Sequence, residues 1–309
     1  MPEQTTSIEP LKVHFGGEDH PSSRPEHARV AVVVLDQGKP VVVLDHDLIR
    51  RLEATLRGLP RDAAGVVLAS AAPRAFVAGA DLKAIQAEDE GGLSDDQLHR
   101  YLEYAARVFA MLADLPCPTA AAINGAVLGG GLELAMHCDG LVGAPSPSGK
   151  PYPVGLPEAG LRICPGWGGT NLLPTRMDPA EAIRFTATGK TFTSEDARGF
   201  GLFDAWADDP ARLVETACDW VLSRARPERD GLPSRCIENT NRAAVLEALD
   251  AVRGELPNDE VAAAVADCVD IGVTKGWREA IARERDHLVR FRNLPPGRAA
   301  IRAFFERGR

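Results

Sequence analysis

Apolar positions along the chain follow two rhythms. Residues 30–35 (VAVVVL) and 66–70 (VVLAS) are short unbroken apolar runs flanked by turn formers, the pattern of buried strands. Between them Leu48, Leu52, Leu56 and Leu59 share one face of a helix over 48–59, with Asp47 placed to cap it and Pro60 to end it. Strand, helix, strand in that order predicts an α/β layer fold with parallel pairing. The stretch 75–83 (AFVAGADLK) reads as a small-residue loop after a strand, leading into a helix. Residues 88–96 are acidic and glycine-broken, which predicts a mobile loop. An amphipathic helix follows over 97–112, stopped by Pro116 and Pro118, and a strand over 141–144 precedes a proline-rich loop at 145–153. Thr193 to Ala197 carries a helix start with Asp196 at a capping-box-like position, and Gly199 and Gly201 end that helix, after which 202–205 leads to a short strand. From 210 onward the pattern is helical, over 211–225, 241–254, 259–273, 275–292 and 298–307. Three regions result: a polar arm at 1–28, either mobile or an added edge strand, a core at 29–209, and a helical region at 210–309.

Composition narrows the function classes. With 309 residues and 45% apolar content the chain can bury a sizeable core. A net charge of −9 argues against a nucleic-acid scaffold. No apolar run approaches a bilayer span, and the first 27 residues lack both a positive start and an apolar signal core, so the expectation is a cytoplasmic protein with no membrane contact. Six scattered cysteines without a C-x-x-C pair predict reduced, buried thiols; Cys164, beside the Pro165-Gly166 turn, is a minor candidate nucleophile. The seven histidines show no metal-ligand spacing, so no metal is expected. Arginines at 283, 285, 290, 292, 298, 302, 307 and 309 make the C-terminal end basic, either as a solvated face or as a subunit contact or anion clamp.

The chemistry-bearing stretch is 119–139, TAAAINGAVLGGGLELAMHCD. It reads as strand, glycine turn and helix. The first N–H groups of a helix have no internal partner and sit at the positive end of its dipole, so such a turn can hold an oxyanion. Glu133 puts a carboxylate beside it. A phosphate loop would need Gly-Lys-Ser/Thr after the glycines, where this chain has Leu-Glu. The plainer reading is a turn whose glycines only let strand and helix pack closely. A second acid, Glu158, and a second glycine turn, Pro165-Gly166-Trp167-Gly168-Gly169-Thr170, follow. The chain between Glu133 and Glu158 can fold back to bring both acids to one cavity. Lys83 is one of few lysines and reads either as a solvated charge or as an anion contact.

Taken together, residues 76–83, 121–139 and 157–170, in that order, resemble the crotonase superfamily, the enoyl-CoA hydratase/isomerase family. The resemblance covers about residues 29–205. It implies a crotonase-like spiral of ββα units, a C-terminal helical trimerisation region and homotrimers that often pair into hexamers. It implies an acyl-CoA thioester substrate, coenzyme A being part of that substrate rather than a cofactor. By motif position, Ala80 and Gly130 would supply the oxyanion-hole amides, Glu133 would activate water and Glu158 would protonate Cα. Ala78, Ala80, Asp81, Leu82, Lys83 and Gly130 would contact the coenzyme A moiety, Lys83 near its phosphates. The expected activity is enoyl-CoA hydratase, in the chemistry of fatty acid β-oxidation. Alternatives are a Δ3-Δ2-enoyl-CoA isomerase, which needs only the acid at Glu158, another crotonase-type acyl-CoA lyase or hydrolase, and a non-catalytic acyl-CoA-binding subunit. The chain departs from the family pattern at Val42, where an Asn is usual, at Trp167, where a small residue is commoner, and in the longer 145–153 loop.

Overall fold

The structure, a computed structural model, describes residues 8–16 and 19–307. Residues 1–7 and 17–18 of the polar arm, and 308–309 with Arg309, lie outside the described residues. The elements in chain order begin β1 (Lys12–His14), β2 (Val30–Leu35), α1 (His46–Arg57), β3 (Gly65–Ser70), β4 (Ala75–Val77) and α2 (Leu82–Ile85). They continue α3 (Asp95–Asp114), β5 (Thr119–Ile123), β6 (Ala126–Leu128), α4 (Gly130–Met136), β7 (Gly140–Gly143) and β8 (Pro153–Gly155). Then come α5 (Gly169–Leu172), α6 (Pro179–Thr188), β9 (Phe192–Thr193), α7 (Ser194–Gly199), β10 (Ala205–Trp206) and α8 (Leu213–Leu222). The chain closes with α9 (Arg242–Val252), α10 (Glu260–Lys275), α11 (Trp277–Asn293) and α12 (Pro295–Arg307).

Two sheets form. The larger has the order β1-β2-β3-β5-β7-β10, parallel except for β1, which the polar arm adds antiparallel to β2 as an edge strand. The smaller has the order β4-β6-β8-β9. Strand alternation assigns the two faces of the larger sheet. Val30, Val32, Val67, Ala120, Ala122 and Val142 turn toward Leu213, Ala217 and Val221 of α8. Ala31, Val33, Leu35, Val66, Leu68, Ala121 and Ile123 turn the other way, into the main core with α1 and α3. The helix α8 thus packs on the core sheet, although the expected boundary at 209/210 groups it with the C-terminal region.

Several local expectations are corrected. Asp45, not Asp47, caps α1: its side chain accepts from Leu48 N at 2.8 Å, and the helix starts two residues earlier than expected. The smaller sheet was not anticipated, since three of its strands are three residues long and the fourth two, too short for an alternation to register. Residues 75–77 are therefore strand rather than loop, and 119–139 contains two strands before its helix. The acidic segment 88–96 is tied down rather than loose. It forms a 3-10 turn at Glu88–Glu90, and Ser94 caps α3 in a capping box with Gln97. C-terminal arginines hold this segment. Arg298 pairs with Asp89 and Glu90, Arg302 with Glu90, and the fully buried Arg292 donates to Asp95 at 2.5 Å and to Gln86 O at 2.7 Å. The Thr193–Asp196 capping box forms as expected.

Close backbone approach fixes where α4 lies. A Cβ on Gly131 would overlap the carbonyl oxygen of Val77 in β4, so this glycine lets the helix rest on the strand. We expect Gly131→Ala to cost about 1–3 kcal/mol or more, because backbone must move. Gly199→Ala, with no heavy atom within 4 Å of the added methyl, should stay within about 1 kcal/mol of wild type; urea denaturation of both variants checks the contrast. Arg292→Met should lower the unfolding free energy by about 1–3 kcal/mol by removing two charge-assisted hydrogen bonds. An unchanged denaturation midpoint would show that the pin on segment 86–95 contributes nothing.

Candidate active site

The loop after β4 and the start of α4 converge on one cavity of about 370 Å³. Ala78, Ala80, Asp81, Leu82, Lys83, Gly130, Glu133 and Glu158, all the site residues expected from sequence, line it. The two glycine turns meet there because of three local features. Gly129 has φ 52 and ψ −130, a conformation closed to other residues, which turns the chain from β6 into α4. A side chain on Gly129 would also collide with the Glu158 carboxylate, and one on Gly130 would collide with the Trp167 ring. The bulky residue between the second pair of glycines is accommodated by the absence of a side chain in the first.

Two residues lining this cavity, Ala80 and Gly130, have backbone amides without a protein acceptor among the described residues. Leu44 bridges to the Ala80 strand segment, donating to Gly79 O at 2.9 Å and accepting from Asp81 N at 3.0 Å. Those bonds use the groups on either side of Ala80, so its own N–H points away from Leu44. Gly130 is the first residue of α4 and has no intrahelical acceptor. Among the described residues, neither N–H donates to a protein acceptor.

Glu133 is buried, its Oε1 accepting from Trp167 N at 2.7 Å and from Gly169 N at 2.8 Å. Burial pushes its carboxyl well above the ordinary range, and the neighbouring charges of Glu284 and Glu158 push the same way, while the two amides oppose them. Glu158 follows Pro157 in a 3-10 turn, Pro157–Leu161. Its Oε2 is buried without a partner among the described residues, and burial raises its carboxyl to about 8. The two acids therefore titrate as an interacting set. Burial favours the protonated form of both acids; they differ in that Glu133 has two amide donors on Oε1, whereas Glu158 Oε2 has none among the described residues.

Sequence reasoning missed a third acid. Glu284 of α11 is fully buried and accepts from Gly168 N at 2.6 Å, from Thr170 N at 2.9 Å and from the Thr170 hydroxyl. It lies more than 110 residues from its partners, in an arginine-rich stretch that reads either as a solvated face or as a contact, and no local pattern marked it. Trp167 is fixed through its indole N–H, which donates to Leu102 O at 3.0 Å, and through its carbonyl, which accepts from His137 Nε2 at 3.1 Å. Burial lowers His137 to about 4, so it stays neutral.

The remaining expected residues fall as follows. Lys83 is exposed at the cavity edge, and Asp81 accepts from Lys83 N at 3.0 Å to cap α2. Val42 is buried and does not line the cavity; its neighbours Val41 and Val43 do. Cys164 is buried against Cys268, and burial pushes its thiol well up, the opposite of what a nucleophile needs. The cavity's outer wall is apolar, with Leu128, Leu161, Ile163 and Leu288 joined by Phe304 and Phe305 from α12.

The chain has known relatives. Residues 25–230 match the family model described as enoyl-CoA hydratase/isomerase. The fatty acid oxidation complex subunit alpha of Shewanella loihica is 36% identical over 238 residues, 72% of this chain and 32% of the relative. The corresponding subunit of Aliivibrio fischeri is 31% identical over 259 residues, 78% and 34% respectively. The chain thus spans about a third of the length of these subunits. Among solved structures, human mitochondrial delta3-delta2-enoyl-CoA isomerase superimposes with a TM-score of 0.65 at 20% identity, covering 97% of this chain and 98% of that one. Enoyl-CoA hydratase from Bacillus halodurans gives a TM-score of 0.64 at 19% identity, covering 94% and 99%. The fold is therefore the crotonase fold, reached by sequences that have largely diverged. No described helix is long and apolar enough to cross a membrane. With its family model matched over the sheet, the glycine turns and both acids of the cavity, the chain belongs to the enoyl-CoA hydratase/isomerase family.

Proposed function

We propose that this protein is an enoyl-CoA hydratase, adding water across the 2,3 double bond of an enoyl-CoA thioester. The observation that carries the reading is the pair of interacting buried carboxylates, Glu133 and Glu158, on the same cavity as two unpaired amides. The thioester carbonyl oxygen accepts from the N–H groups of Ala80 and Gly130. As water adds to Cβ, negative charge moves onto that oxygen, and each aimed donor is worth about 3–4 kcal/mol in such a site. Glu133, oriented by two amides on Oε1, takes the proton of the attacking water in its ionised form, and its other oxygen is free of those bonds. Glu158 delivers its proton to Cα. The double bond becomes single, the water oxygen is bonded to Cβ, and the proton gained by Glu133 returns to Glu158 through solvent. The apolar outer wall suits a hydrocarbon acyl chain, and Ala78, Asp81, Leu82 and Lys83 lie where the coenzyme A moiety would enter, Lys83 toward its phosphates.

The presence of two acids on one cavity favours hydration over double-bond migration, which needs only the acid at Glu158.

Turnover of crotonyl-CoA and longer 2-enoyl-CoA esters tests the reading, with migration in 3-enoyl-CoA esters measured alongside. Glu133→Gln and Glu158→Gln should each lower hydration by about 10²–10⁴-fold. Unchanged turnover in both would remove the mechanism, and faster migration than hydration in wild type would reassign the activity. The pH profile gives a separate check. Because the acid form of Glu158 is the working form, kcat/KM should fall as pH rises through about 8. A rate that instead climbs across that interval would contradict Glu158 as the proton donor.

A further inference from the structure

Four consecutive amides in the second glycine turn alternate between two carboxylates. Trp167 N and Gly169 N donate to Glu133, while Gly168 N and Thr170 N donate to Glu284. We propose that Glu284, reaching in from α11, is a positioning residue for proton transfer: it fixes the 167–170 backbone so that the alternate amides orient Glu133, and its charge sets where the Glu133–Glu158 pair exchanges protons. The inference rests on the reading of that pair as the acid–base couple.

Both oxygens of Glu284 are committed. Oε2 takes Gly168 N and Oε1 takes Thr170 N and the Thr170 hydroxyl, and the side chain is fully buried. Among the described residues no cation forms an ion pair with it; burial raises its carboxyl, while the Thr170 hydroxyl, the Gly168 and Thr170 amides and Arg285 on its own helix favour its charge. The carboxyl is thus held in the interior by two backbone amides and one hydroxyl. The groups facing it are Glu133 on α4, Glu158 in the 157–161 turn, Cys164, and Cys268 on α10. His137, which holds the Trp167 carbonyl, is neutral and adds no charge. Of these, the two glutamates are the groups whose ionisation an adjacent negative charge opposes. Glutamine in place of Glu284 would keep size and shape but turn one acceptor toward the turn into a donor, and would remove the charge. A plain helix cap on α5 would need the acceptors without the charge, so the two roles separate experimentally.

Hydration by wild type, Glu284→Gln and Glu284→Asp across pH is the test, with titration of 13C-labelled glutamate carboxyls in the folded, substrate-free proteins. For Glu284→Gln, kcat should fall by about a hundredfold, the scale of a small misplacement in a preorganised site, with KM little changed. The alkaline limb of the profile should move to lower pH, and Glu284→Asp should recover part of both changes. A folded Glu284→Gln protein with wild-type kcat overturns the proposal, as does a loss of kcat on an unmoved profile, which would mark a cap only. If Glu284→Gln does not fold, Thr170→Val removes one donor to Glu284 and leaves both amides; it should show a smaller shift in the same direction, and an unmoved profile there overturns the proposal too. Absence of hydratase turnover in wild type would remove the acid–base reading alone. The carboxyl titration would still report whether Glu284 controls the ionisation of Glu133.

Discussion

One short run of backbone, 167–170, satisfies two carboxylates that could not otherwise be kept in the interior. Taking an ion of this kind out of water costs several kcal/mol unless donors replace the solvent. Here the donors are backbone N–H groups that the start of α5 leaves unpaired. The solution joins distant parts of the chain. Glu133 arrives on α4, itself seated on β4 by Gly131, and Glu284 arrives on α11. The indole of Trp167 adds α3 through Leu102. Any displacement of the turn is felt at both acids, so the sheet, the middle helices and the C-terminal helices are held to one geometry.

The larger sheet was readable from sequence because its strands are continuous apolar runs such as VAVVVL, which only a doubly covered parallel sheet buries. The smaller sheet was not, since a strand of three residues such as Ala126–Leu128 offers no period to detect. The start of α1 was misplaced because two aspartates, Asp45 and Asp47, stand near it, and only the backbone turn at Asp45 decides which one caps.

The cavity residues were legible to the extent that they sit in glycine-marked loops. Glycines show where backbone is meant to be approached: Gly130 and Glu133 lie in or just after the run 129–131, Ala80 follows Gly79, and Glu158 stands between the single glycines 155 and 160. Glu284 had no such marker, standing among Arg283, Arg285 and Arg290 in a stretch that looks like surface. Its burial follows from the helix face that α11 turns inward, together with Leu288 and Phe291. Segment 88–96 was misread for the mirror-image reason. Its charges suggested solvent, whereas their partners Arg292, Arg298 and Arg302 lie some 200 residues away.

The walls of the cavity differ in what holds them. The inner wall is backbone, set by strand pairing and glycine contacts that cannot give without unfolding part of the core. The outer wall includes Phe304 and Phe305 on α12, a helix whose link to the acidic turn runs through the solvent-facing side chains of Arg298 and Arg302. Ionic contacts of that kind weaken as dissolved electrolyte rises. One wall of the cavity is thus set by backbone and the other is tied to segment 88–96 by ions, so dissolved salt acts on the second and leaves the first alone.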